Sequence, residues 1–145
     1  MSNRRETLTR MSALLACALP LGAALAQSKP ADKPPAIDGY DPVAYFTEKQ
    51  PAQGKPNISY DWDDKRYLFA NAKHRDLFAA NPDKYEPQFN GLCSGNVSVG
   101  KKVKADPTIW RVVDGKLYLF AGQQHNEEAV AKKVVLAQSK WKDLK

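Results

Sequence analysis

The stretch from Tyr67 to Tyr85, YLFANAKHRDLFAANPDKY, constrains the fold more than any other part of the chain. Tyr67, Leu68 and Phe69 have aromatic, β-favouring character, and the run stops at Asn71, a side chain well suited to cap the first turn of a helix. His74, Leu77 and Phe78 follow at spacings that a helix can use. Pro82 then closes the helix, because its ring removes a backbone donor and blocks continuation. The segment therefore reads as a strand that runs straight into a short capped helix.

Two hairpins frame the remaining architecture. Residues 58–62 and 66–69 flank the turn at Asp63-Asp64-Lys65, and residues 110–113 and 116–120 flank Asp114-Gly115, the strongest hairpin signal in the chain. Residues 82–87 read as a turn or a single helical turn. A glycine-punctuated bend over 89–95 leads into a short helix near 96–99. Residues 123–144 form the closing helix, whose stripe of Val130, Val134, Ala137, Trp141 and Leu144 has the three- and four-residue spacing of a face packed on a sheet. The expected class is α+β: a small antiparallel sheet of hairpins with helices packed on one face. No internal repeat is read beyond the two hairpins.

The first 26 residues stand apart. Arg4, Arg5 and Arg10 precede an uncharged, largely apolar run over 11–25, and Ala24-Leu25-Ala26 supplies a small-x-small cleavage signal. The run is short for a membrane span, so the reading is a cleaved signal peptide on an exported, periplasmic chain with no transmembrane segment after cleavage. Export runs by the general secretory route or, on the strength of Asn3-Arg4-Arg5-Glu6-Thr7-Leu8, by the twin-arginine route. Residues 27–36, with Pro30, Pro34 and Pro35 among Lys29, Asp32 and Lys33, read as a flexible tether. Residues 37–145 are left as one domain.

Taking away Arg4, Arg5, Arg10 and Glu6 lowers the formal charge from +6 to +4. The excess is lysine, notably Lys101, Lys102, Lys104, Lys132, Lys133, Lys140, Lys142 and Lys145. Few aromatic or arginine side chains accompany it, so the reading is a solvated basic face and not a nucleic-acid interface. A partner protein stays open. Cys93 is the one cysteine left after cleavage, and a lone thiol in an oxidising compartment cannot close an internal disulfide. It is a buried inert side chain, a metal ligand, a reactive thiol, or a link to another molecule. Gly91 and Gly95 flank it, and a helix starting just beyond it would favour the thiolate.

The pattern Y-x-F-x-x-x-x-H-R-x-x-F-x-x-x-P-x-x-Y over 67–85 resembles the YHS domain, and Gly39-Tyr40-Asp41-Pro42-Val43-Ala44-Tyr45-Phe46 resembles the start of secreted members of that family. Asp106-Pro107-Thr108-Ile109-Trp110 and Val113-Asp114-Gly115-Lys116-Leu117-Tyr118-Leu119 are similar to family segments, and Trp141 to a closing tryptophan. The likeness spans residues 37–120. Where relatives run P-x-Y-G-G-x-C-A, this chain has Pro87-Gln88-Phe89-Asn90-Gly91-Leu92-Cys93-Ser94, with the cysteine in register. The metal-handling branch carries Cys-Ser after the phenylalanine and Asp-Pro-Val-Cys at the start. Ala70-Asn71 and Asp41-Pro42-Val43-Ala44 stand there instead, so of that ligand set only His74 remains.

One ligand does not make a zinc site. A structural His74, bonded to backbone or a tyrosine, is therefore the simpler reading, and His125, followed by Asn126, Glu127 and Glu128, reads as part of a helix start. Brought together, Cys93, His74 and His125 would give a soft site for copper or zinc. No phosphate loop, HExxH, G-x-S-x-G or CxxC is present. The expectation is an exported binding or accessory module, not an enzyme, with Cys93 and His74 as candidate metal ligands or Cys93 as the group that meets a thiol-reactive ligand. Two other readings remain: a small thiol-dependent redox enzyme with Cys93 as nucleophile, and a structural or protein-docking domain with an inert Cys93.

Overall fold

The computed structural model describes residues 33–124 and 126–145. The expected signal peptide over 1–26, residues 27–32 of the expected tether and His125 lie outside the described residues. Ordered pairing starts slightly earlier than expected: Pro35 makes a parallel bridge with Arg66, and a tight turn covers Ala36–Gly39.

The class is α+β, but the hairpins do not merge into one sheet. Strands β1 (Lys55–Trp62) and β2 (Lys65–Phe69) form one antiparallel pair, and β3 (Asp106–Val113) and β4 (Lys116–Phe120) form another. Both turns need positive φ at their two central residues. Asp63 and Asp64 supply it in the first (φ 45° and 60°), and Asp114 and Gly115 in the second (φ 51° and 72°).

Helices fill the intervals: α1 (Ala44–Thr47), α2 (Ala72–Ala80), α3 (Pro82–Tyr85), α4 (Ser94–Val97) and α5 (Glu127–Leu144). Helix α4 starts two residues before the expected position, directly after Cys93. Helix α5 starts four residues late, at the residue after its cap Asn126, whose side chain accepts from Ala129 N at 3.0 Å. Asn71 caps α2 as expected, with Oδ1 accepting from His74 N at 2.9 Å. Replacing Asn71 with alanine is expected to cost about 0.5–2 kcal/mol in a urea titration, the usual worth of such a cap.

Two apolar clusters hold the elements together. One gathers Val43, Tyr67, Phe69, Phe78 and Tyr85 around the first hairpin and α2. The other gathers Tyr45, Phe89, Cys93, Val97, Leu117, Leu119 and Phe120 against the α5 stripe of Val130, Val134 and Ala137. Trp141 and Leu144 are half-buried against this second cluster. Tyr45 ties α1 to the second hairpin by donating its hydroxyl to Pro107 O at 2.9 Å. No described helix is long and apolar enough to cross a membrane.

The hairpins belong to a larger repeat, which corrects the reading that nothing recurs beyond them. Lys55↔Phe69 recurs as Asp106↔Phe120, Ser59↔Leu68 as Trp110↔Leu119 and Trp62↔Lys65 as Val113↔Lys116, with the same register shift and a constant step of 51 residues. The parallel bridge Pro35↔Arg66 recurs as Pro87↔Leu117, and the antiparallel bridge Tyr40↔Gln53 as Leu92↔Lys104. The left-handed turn Ile37-Asp38-Gly39 (φ 45°, 53°, 80°) recurs as Phe89-Asn90-Gly91 (φ 56°, 57°, 77°). Side chains beyond glycine seldom adopt such angles, so three in a row at matching places are a strong structural signature. Each half runs left-handed turn, one-turn helix, hairpin, helix.

Candidate functional site

The sequence candidates fall at two places that the structure keeps apart. In the first half, the left-handed turn and Pro42 deliver Asp41 to the start of α1, fully buried. Its Oδ1 accepts from Val43 N at 2.8 Å and, more weakly, Ala44 N at 3.4 Å. Its Oδ2 accepts from Ala70 N at 2.9 Å and from His74 Nδ1 at 2.7 Å. The cap at Asn71 fixes where α2 begins, and so carries the His74 ring onto that carboxylate.

The far side of the ring, Nε2, faces Thr47 Oγ1 at 3.1 Å and Glu48 Oε1 at 3.6 Å. Carboxylate, imidazole and hydroxyl thus stand in the order of a hydrolase relay. Every bond in the series is used, however, to tie α1 and the end of β2 to α2, and Thr47 Oγ1 also lies 3.2 Å from Val43 O. The His74 ring is bonded to Asp41 and Thr47, where backbone or tyrosine partners were expected.

In the second half, the matching turn delivers Cys93, 4% exposed. Its sulfur accepts from Ala121 N and from Asn96 Nδ2, each at 3.1 Å. Gly95 leaves space beside it: a Cβ there would sit 3.8 Å from Sγ, near Lys133 Cδ and Phe120. Ser94 is fully buried, and its hydroxyl has no hydrogen-bond partner among the described residues. A buried hydroxyl without a partner is costly, and Tyr67 in the other cluster carries a second such hydroxyl. Helix α4 does start just after Cys93, yet it is a single turn, which carries little of a long helix's dipole.

The hydrogen bonds that hold the His74 ring and those that hold the Cys93 sulfur share no residue. Among the described residues no three His, Cys, Asp or Glu side chains gather as a metal would require. The tyrosines mostly fill the core; burial pushes the Tyr45 and Tyr67 phenols well above their ordinary value. A cavity of about 590 Å³ lies elsewhere, between the bend at Gln88–Gly91 and the end of α5, where burial raises the Glu86 carboxyl.

Sequence reasoning missed Asp41 as a functional partner. An Asp followed by Pro at the mouth of a helix is itself a capping signal, and that signal was available in Asp41-Pro42-Val43-Ala44. Neither a protein-family model, nor a curated protein, nor a solved structure matches the chain.

Proposed function

We propose that this chain is an exported YHS-like binding or accessory module, not an enzyme, that works through the thiol of Cys93 on a soft ligand, either a metal ion or a thiol-reactive species. The observation that carries this reading is the treatment of the sulfur: two N–H donors converge on it, and Gly95 leaves a methyl-sized gap beside it. An inert core cysteine needs only apolar contacts. The YHS resemblance and the signal-like first 26 residues support the family and the compartment. The alternative is a small thiol-dependent redox enzyme with Cys93 as nucleophile.

Metal analysis of the protein purified without chelator from its export compartment tests the metal form, wild type beside Cys93→Ala. Near-stoichiometric metal in the wild type and its loss in the variant are expected if the ligand is a metal ion. Equal metal content in the two proteins would remove Cys93 as a ligand and leave only the thiol-reactive form.

A further inference from the structure

We propose that the outward face of α5 joins two copies of this chain, paired antiparallel about a two-fold axis at Val135. The pairing does not depend on the Cys93 reading. One side of α5, with Val130, Val134 and Ala137, is buried in the core. On the outward side Val135 and Leu136 remain 65% and 52% exposed. A helix that met only water there would carry polar side chains. Ala131 and Lys132 complete a shallow hollow with the two apolar residues. The other large apolar side chains exposed among the described residues, Val99 and Val103, lie in the segment before β3.

The residues around Val135 select a second copy as the occupant. Val135 stands at the middle of α5, which runs Glu127–Leu144. Ala131 and Ser139 lie four residues to either side of it, and Glu128 and Lys142 seven to either side. Both spacings return to the same helix face, and all four residues are exposed. Laid antiparallel across Val135, each Ala131 meets the partner's Ser139 and each Glu128 meets the partner's Lys142. Ser139 turns its hydroxyl back to Leu136 O at 2.8 Å, which keeps its profile small. Lys142 makes no ion pair among the described residues. Glu128 is held by Lys132 at 2.8 Å, an exposed pair of a kind that contributes little. Glu127 is taken by Arg111.

Other arrangements fit less well. A parallel copy would set Glu128 against Glu128 and Lys142 against Lys142, and would align the two helix dipoles instead of opposing them. An anionic membrane wants a basic rim on the apolar face, whereas Glu128 and Asp143 here balance Lys132 and Lys142. The contact is isologous, so it closes at two copies. The helix is about 27 Å long, and one such face falls short of the roughly 1,200 Å² that stable interfaces bury. The dimer is therefore weak and reversible.

Sedimentation equilibrium of residues 27–145 reads the dissociation constant over about 10 µM to 1 mM, the range of a weak contact. Reductant is present throughout, so that no disulfide through Cys93 contributes. Wild type is expected to dimerise within this range and Val135→Lys to stay monomeric. Glu128→Lys and Lys142→Glu each set two like-charged pairs across the axis, and each should weaken the dimer by about tenfold. The chain carrying both reversals restores opposite charges and should regain the wild-type constant. Wild type that stays monomeric throughout, or a dimer indifferent to Val135→Lys, would overturn the proposal. A dimer lost in Val135→Lys but not regained by the double reversal would overturn its antiparallel register. A monomer that binds phosphatidylglycerol vesicles, and loses that binding in Val135→Lys, would overturn it by giving the face to a membrane.

Discussion

Replacing Asp41 with alanine is expected to destabilise the protein by about 3–5 kcal/mol, since each buried donor left without a partner costs about 1–3 kcal/mol. The magnitude follows from what is left behind. Asp41 is fully buried and accepts from Val43 N, Ala44 N, Ala70 N and His74 Nδ1. Alanine removes all four acceptor contacts at once, and three of the donors belong to the buried residues Val43, Ala44 and His74. Since small domains are stable by only about 5–15 kcal/mol in total, a large part of the population would unfold at moderate temperature. Asp41→Asn keeps an oxygen in place but meets the donors with an amide, so its loss should be smaller. Urea titration of both variants checks the order, and an alanine variant within about 1 kcal/mol of wild type would show that the strut does not bear load.

A comparable loss is expected from Phe78→Ala. Phe78 is fully buried on α2, with ring centroids 4.7 Å from Tyr67, 5.3 Å from Phe69 and 6.0 Å from Tyr60. It is the ring through which α2 packs on both strands of the first hairpin. Truncation removes the transfer energy of the ring and leaves a cavity among side chains that are already tightly placed, for a cost of about 3–5 kcal/mol. The helix that carries His74 should loosen with it, so hydrogen exchange at the amides of α2 should quicken along with the drop in denaturation midpoint. A drop of under about 1 kcal/mol would mean that the pocket collapses onto the gap, at odds with the close packing described here.

The parts of the fold legible in the sequence were those set by local chemistry. Asn71 as a cap, Asp114-Gly115 as a hairpin turn and the Val130, Val134, Ala137 stripe each follow from a few neighbouring residues, and each stands as expected. The repeat was harder to read, because outside Tyr-Leu-Phe-Ala the identities between the halves are scattered single positions such as Pro56 and Pro107, Asp63 and Asp114, and Lys65 and Lys116. Its backbone signature is carried by Ile37-Asp38-Gly39 in one half and Phe89-Asn90-Gly91 in the other, where the shared feature is a tolerance for positive φ and not a side chain. Asp41 and Cys93 have no chemistry in common that a sequence comparison would reward; their equivalent donors, Ala70 N and Ala121 N, and the matching turns before them show that they hold one position. The partner of His74 lay 33 residues upstream of it, beyond the reach of any periodicity argument.

The account turns on Cys93 being available in the folded protein despite its small exposure. Its most direct test is the extent of Cys93 modification by a small alkylating reagent under native conditions, read by intact mass, with wild type beside Gly95→Ala. A Cβ at position 95 would make ordinary contact with Sγ at 3.8 Å and close the space beside it without strain. The account predicts one adduct at Cys93 per folded chain of residues 27–145, at a rate independent of added denaturant at low concentration and slowed in Gly95→Ala. A thiol that stays unmodified until the protein unfolds, in both forms alike, would contradict it and leave Cys93 as a core side chain.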